Sequence, residues 1–339
     1  MPVTYHKRFQ TMTDLSTSYM GLQLRSPVIV GSSGLTKSMN NLQIIDEKGA
    51  GAVVLKSLFE EQIKFEVQKV FSYDDTQGGY TEAEDYIRNY AREHTLDEYL
   101  NLIQEAKNKL SIPVIASINC TSASEWPAFA KNIEKAGADA MELNVFVLPS
   151  DVDVEGAEYE KLYFRVVENV KKEISIPISL KISTYFSGLA NMVKKLSWTG
   201  VDGLVLFNRF FNPDIDLDKK RIKASHLYSD PEEISISLRW IAILSGQLQT
   251  DLCASTGVHD GKGVVKQLMA GASAVQLCST LYKNGLDHLE LVHKEIVEWM
   301  EANSYSKISD FKGTMSQKMT SNPAAFLRVQ FMKHFAGIE

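Results

Sequence analysis

Two short phrases alternate along the chain, and each reads as a buried parallel β-strand introduced by its own kind of turn. The first opens on proline. Pro27-Val-Ile-Val-Gly31, Pro113-Val-Ile-Ala-Ser117 and Pro177-Ile-Ser-Leu-Lys181 put Pro at a strand's first residue, where its missing N–H does least harm to a ladder. The second opens on glycine and reads as a helix C-cap running into a strand: Gly49-Ala-Gly-Ala-Val-Val-Leu-Lys56, Gly137-Ala-Asp-Ala-Met-Glu-Leu-Asn144, Gly200-Val-Asp-Gly-Leu-Val-Leu-Phe207 and Gly271-Ala-Ser-Ala-Val-Gln-Leu-Cys278. Asp251-Leu-Cys-Ala-Ser-Thr256 supplies one more strand, which makes eight. Amphipathic segments such as Leu42 to Lys48, Trp126 to Lys135 and Leu162 to Lys171 fill the gaps. The pattern predicts an α/β fold, a (β/α)8 TIM barrel, with an open doubly wound sheet as the alternative that periodicity alone leaves standing.

The connections from Ser57 to Ile112 and from Asn208 to about Thr250 exceed a bare crossover, so inserted segments are expected after strands 2 and 6, covering the mouth. In the first, helical stretches are read at 60–70 and 96–110; another apolar-periodic segment runs from Pro323 to Phe335. No linker rich in Pro, Gly or Ser interrupts the chain, so residues 1–339 read as a single domain. With 36 Lys+Arg against 42 Asp+Glu the net charge is −6, which gives no basic field for nucleic acid or an anionic membrane. The N-terminal stretch has no signal-peptide core and no run of about 18 apolar residues occurs, so a cytoplasmic location is expected. Cys120, Cys253 and Cys278 form no CxxC pair and read as reduced thiols, and the seven histidines show no HxH or HExxH spacing, so no metal site is expected.

Barrel chemistry gathers at the C-terminal ends of strands. Here those ends carry Gly31-Ser32-Ser33-Gly34, Lys56-Ser57, Asn119, Asn144, Lys181, Asn208, Ser255-Thr256-Gly257 and Cys278-Ser279. Two lysines in one mouth need an anionic partner, either a bound ligand or a neighbouring carboxylate such as Glu142. The last two strand ends offer backbone N–H groups and hydroxyls to a phosphate.

Taken in order, these residues resemble the soluble class of dihydroorotate dehydrogenases, FMN-dependent barrel enzymes of pyrimidine biosynthesis. Pro27 to Gly34 is similar to the family's first flavin-contacting strand, Leu55-Lys56-Ser57 to its lysine near flavin and substrate, and Met141-Glu-Leu-Asn144 to its ELN motif. Leu180-Lys181 resembles its second flavin lysine, Leu206-Phe-Asn208 its substrate asparagine, and Ala254 to Val258 with Val275 to Leu281 its paired phosphate loops. Tyr305 to Gly313 is similar to its C-terminal segment. The resemblance implies that FMN is held by Gly31, Ser32, Ser33, Lys56, Ser57 and Asn119 from the first half, and by Asn144, Lys181, Ser255, Thr256, Gly257, Cys278 and Ser279 from the second. Lys181 would stabilise negative charge on the reduced flavin, while Lys56, Asn144 and Asn208 would bind a flat, amide-rich pyrimidine. It also implies an oxidoreductase acting on a C–C bond, a separate electron acceptor that the residues do not name, and a homodimer.

One departure bears on the chemistry. The family's base lies on the loop after the ELN strand, a cysteine in soluble members and a serine in membrane-associated ones; this chain reads Asn144-Val-Phe-Val-Leu-Pro-Ser-Asp151, which puts Val147 or Leu148 there. Ser150 and Asp151 are the catalytic substitutes the loop offers, together with Lys56. The family's asparagine after strand 2 has no clear counterpart between Asp74 and Tyr90. Two other readings stay open: a flavin-binding homologue that does not turn over dihydroorotate, and an aldolase-like barrel using Lys181 as a Schiff-base lysine.

Overall fold

Three prolines show how the strands begin. Pro27, Pro113 and Pro177 each sit one residue ahead of a strand, and each lends the ladder its carbonyl: Pro27 O accepts from Val275 N–H (2.8 Å), Pro113 O from Val53 N–H (3.1 Å) and Pro177 O from Met141 N–H (2.9 Å). Pairing thus starts at the proline without needing the N–H it lacks. The glycine phrases end helices as expected. Gly271 has φ +118° and donates to the carbonyls of Gln267 and Leu268, a left-handed cap closed to β-branched or bulky residues.

The computed structural model describes residues 13–59, 96–120, 126–145 and 147–327. Its barrel strands are β1 (Val28–Val30), β2 (Ala52–Val54), β3 (Val114–Cys120), β4 (Ala140–Val145), β5 (Ile178–Ile182), β6 (Gly203–Leu206), β7 (Asp251–Ser255) and β8 (Ala274–Leu277). All pair in parallel in the order β2-β1-β8-β7-β6-β5-β4-β3, and β2 pairs again with β3 through Val53 with Val114 and Val54 with Ile115. That last pairing closes the ring and rules out the open sheet. Around it lie α1 (Met39–Glu47), α2 (96–109), α3 (Trp126–Lys135), α4 (Gly156–Lys171), α5 (Leu189–Ser197), α6 (Ile234–Leu244), α7 (Gly261–Ala270), α8 (Ser279–Asn284) and α9 (His288–Ala302). None of the described helices is long and apolar enough to cross a membrane.

The helix expected over 96–110 is present as α2; the stretch expected at 60–70 and most of Pro323 to Phe335 lie outside the described residues. The connection after β6 holds an antiparallel hairpin, Pro213–Asp216 with Arg221–Ala224, and then α6, the barrel's ordinary sixth helix.

Alternation along the strands sorts the core into two shells. Val28, Val30, Val53, Leu143, Leu180 and Leu204 face the helices. Ile29, Ala52, Val54, Ile115, Ala140, Val205, Cys253 and Ala274 face inward, and a second hairpin (Thr17–Tyr19 with Leu22–Leu24) plugs this interior with Tyr19, Met20 and Leu24. Thr17 Oγ1 donates to Ser273 O (3.1 Å) and Met20 N–H to Asp251 Oδ2 (2.9 Å), which ties the plug to the N-terminal ends of β7 and β8. Two residues beyond Ile115, Ala140, Cys253 and Ala274 the lining turns polar, with Ser117, Glu142, Ser255 and Gln276. Ser117 and Glu142 are register partners, followed by Asn119 and Asn144 at the rim.

Candidate functional site

At the C-terminal end of the barrel, a cavity of about 270 Å³ is bounded by residues from β1, β4 to β8 and their following loops. Gly31 and Ser32 come from β1, Asn144 from β4 and Lys181 from β5; Asn208 follows β6. Ser255, Thr256 and Gly257 follow β7, while Cys278 and Ser279 follow β8. Ten of the residues expected at the site thus share one cavity. Among its described lining residues Lys181 and Arg209 are cationic and none is acidic, in a chain of net charge −6.

The loop after β7 is shaped for close approach. Thr256 (φ +76°) and Gly257 (φ +77°) are both left-handed, and Thr256 Oγ1 donates to Phe207 O (3.2 Å). A Cβ on Gly257 would stand 2.1 Å from Ile234 N, so only glycine fits between the cavity and the start of α6. The segment after β6 is bonded across this end. Ser229 N–H donates to Ser279 Oγ (3.0 Å), Lys283 Nζ donates to Ser229 O (2.9 Å), and Ser229 Oγ meets His259 Nε2 (3.1 Å). Arg209 Nε donates to Glu233 Oε2 (3.0 Å), and its Nη1 to the carbonyls of His226 and Leu227 (3.1 and 3.3 Å). His226 itself is exposed.

Lys181 Nζ donates to Gln276 Oε1 (2.8 Å) and lies 4.0 Å from Glu142 Oε1, so the carboxylate anticipated for a buried lysine is present, one amide away. Asn208 Nδ2 donates to Asn144 Oδ1, joining the two amides expected to meet substrate. Burial raises the Cys278 thiol despite the opposing effects of Ser33 and Lys181, which leaves a neutral thiol at the wall.

Lys56 lines a different cavity, of about 720 Å³, with Lys37, Ser38, Ser57 and Tyr99. Burial first, and then repulsion from Lys37, lowers its pKa. The two cavities are connected through serines: Ser57 N–H donates to Ser32 Oγ (2.8 Å), the Ser32 and Ser57 hydroxyls are 3.0 Å apart, and those of Ser57 and Ser117 are 2.7 Å apart. Asn119 is buried near the end of β3 with Oδ1 unpaired among the described residues, and Ser33 caps the turn that follows β1 by accepting from Leu35 N–H (3.2 Å). Ser150 and Asp151 are exposed on the loop after β4, and neither lines these cavities. Val147 packs against the core, while Leu148 is exposed. Asp74 to Tyr90 lies outside the described residues, as does the side chain of Cys120.

A sequence profile of dihydroorotate dehydrogenase matches residues 14–300. The chain belongs to the dihydroorotate dehydrogenase family. It is 26% identical over 312 residues, 89% of its length and 98% of the relative's, to the catalytic subunit of dihydroorotate dehydrogenase B (NAD(+)) of Thermoplasma volcanium. The protein of the same description from Methanocaldococcus jannaschii is 26% identical over 298 residues (85% of this chain, 94% of the relative), and that of Methanothermobacter thermautotrophicus 27% over 312 (88% and 97%). The dihydroorotate dehydrogenase family comprises oxidoreductases acting on CH–CH bonds.

This family member's site also contains residues that the strand-end reading passed over. Gln276 lies inside β8, and Arg209 and Ser229 belong to the connection after β6. Gln276 had a usable signal, being the inward-facing residue two before Cys278. Arg209 had only its place next to Asn208, and Ser229 had none, because only the folded connection brings it to the mouth.

Proposed function

We propose that residues 1–339 form one FMN-binding barrel domain that oxidises or reduces the C–C bond of a small dihydroorotate-like pyrimidine. The observation that carries this reading is the cationic cavity at the barrel mouth, without a lining acid, in a chain of this family. Its residues suit the cofactor. The bare backbone of Gly257 and the hydroxyls of Ser255, Thr256 and Ser279 suit a phosphate, and Lys181 suits the electron-rich edge of the ring. FMN, when bound, supplies the hydride acceptor or donor. Lys181 holds an ammonium at the cavity wall, oriented by Gln276. Asn144 and Asn208, already hydrogen-bonded together, present the donors and acceptors that a cyclic imide and amide require. Lys56 supplies a second cation from the neighbouring cavity across the Ser32–Ser57 contact.

One observation favours a second reading, flavin binding without dihydroorotate turnover. Among the described residues of the loop after β4, neither Ser150 nor Asp151 reaches the cavity and the intervening positions are apolar. A productive base at Ser150 or Asp151 requires that loop to turn inward. The Schiff-base reading fits the site less well, since Lys181 sits between an amide oxygen and a carboxylate as an ammonium does, not as a free amine nucleophile.

For electron transfer beyond the site, the relatives' description as catalytic subunits of NAD(+)-linked enzymes supports a second subunit as the route to an acceptor. A homodimer is the assembly implied by the sequence resemblance, and sedimentation tests it. The deciding experiment for the site is an anaerobic titration of the purified protein with dihydroorotate and other dihydropyrimidines, following the flavin band near ~450 nm. Bleaching by dihydroorotate supports turnover. Bound FMN that no dihydropyrimidine bleaches supports the second reading, and colourless protein that takes up no added FMN overturns both.

A further inference from the structure

Glu142 is a carboxylate inside the barrel that the reading above leaves without a role. It is 1% exposed, in the middle of β4 between Ser117 on β3 and Ser179 on β5. Its Oε2 accepts from Gln276 Nε2, its Oε1 has no hydrogen-bond partner among the described residues, and Lys181 Nζ is 4.0 Å from that oxygen. The Gln276 amide therefore uses both ends: its NH2 donates to the carboxylate and its carbonyl accepts from the ammonium. This bridge spans the barrel interior from β4 to β8 and ends at the cavity wall.

Packing does not explain such a residue, because an apolar side chain would fill the space without leaving a carboxylate oxygen unpaired. The surrounding groups do not share its charge. Burial and, less strongly, the charge of Glu142 raise Tyr19, Tyr99 and Cys253, so these stay neutral beside it. Lys181 is the cation that faces it, 12% exposed at the side chain.

We propose that Glu142 is a positioning residue which, through the Gln276 amide, fixes Lys181 at the cavity wall and sets the charge felt by a bound flavin. This inference rests on the FMN reading above. The carboxylate offsets part of the ammonium's field, and the intervening amide keeps the ammonium from withdrawing onto it. Removing the carboxylate and removing the amide should then act in opposite directions: the first leaves more positive charge at the cavity, and the second lets Lys181 close onto Glu142 and leaves less.

The test is the midpoint potential of bound FMN at pH 7, measured by dye equilibration on the full-length holoprotein. Glu142→Gln is expected to favour the reduced flavin by about tenfold, ~30 mV for a two-electron couple. Gln276→Leu is expected to shift the potential the other way, and Glu142→Asp, which keeps the charge, to stay within about threefold of wild type. Unchanged potentials in Glu142→Gln and Gln276→Leu, or shifts of the same sign in both, overturn the inference. If Glu142→Gln does not fold, Gln276→Leu decides: an unchanged or raised potential overturns it. A wild type that binds no FMN overturns this inference and the reading beneath it together, whereas a flavin-loaded wild type with insensitive variants overturns this one alone.

Discussion

Gly257→Ala tests the cavity wall with a single methyl group. The residue has φ +77°, where an L side chain costs roughly 1–2 kcal/mol. The added Cβ would stand 2.1 Å from Ile234 N, 2.5 Å from Glu233 C and 2.7 Å from Ile234 Cα, all backbone atoms at the start of α6. No side chain can swing aside, so either the loop after β7 or the turn at Pro231–Glu233 must move. That turn is held by Asp230 N–H donating to Glu233 Oε1 (2.8 Å) and by the Arg209–Glu233 ion pair. Adding about 1–3 kcal/mol for forced overpacking gives a total loss of about 2–5 kcal/mol. Gly21→Ala provides the control, since Gly21, exposed in the turn of the N-terminal hairpin, has φ +74° but no atom within 4 Å of its would-be Cβ, so it bears the backbone cost alone. Urea unfolding of both variants, with equal m-values, separates the two contributions. Gly257→Ala should also weaken FMN binding by more than about tenfold, while Gly21→Ala should not. If Gly257→Ala is no less stable than Gly21→Ala and binds FMN as tightly as wild type, the close approach of this loop to α6 is refuted.

Arg209→Met removes one of the two cations among the cavity's described lining residues and should weaken FMN binding about tenfold in a fluorescence titration, with a smaller loss at high salt. Lys37→Gln removes a charge that lowers the pKa of Lys56, so the alkaline limb of the flavin-reduction pH profile should move upward; no movement would separate Lys56 from that step. His293 is held below its usual pKa by burial and then by Arg25, while its Nε2 meets Ser26 Oγ at 2.7 Å. An unfolded histidine takes up its proton at about pH 6.5, so the stability that neutral His293 contributes is complete above that pH and declines as pH falls through it toward the lower folded value. His293→Gln should therefore cost less stability at pH 5 than at pH 8 in urea unfolding.

Much of the barrel was legible because two residue types mark where its strands begin. Proline lends a carbonyl to the ladder at Pro27, Pro113 and Pro177, and glycine closes a left-handed cap at Gly271; both requirements are local. The phosphate-type loops were legible for the same reason, as Ser255, Thr256, Gly257 and Ser279 follow their strands directly. The N-terminal hairpin left little trace, since three-residue strands are too short for a periodic signal and Tyr19 is buried by tertiary contact. The Glu142–Gln276 bridge was hidden because its two ends are 134 residues apart, and period-two patterning marks an inward position without naming what lies across the barrel. Sequence order also grouped Lys56 with Lys181 in one mouth; Lys181 lines the cavity beside the loops after β7 and β8 and Lys56 the neighbouring one, and the hydrogen bond between Ser32 and Ser57, which sequence order does not show, joins the two.

The hairpin that seals the barrel floor has a kinetic consequence. Tyr19, Met20 and Leu24 fill the N-terminal end, and among the described residues the cavity opens at the opposite end. A reductant and a diffusible oxidant that both use that mouth would take turns there, and double-reciprocal plots of initial rate with both concentrations varied should then form parallel lines.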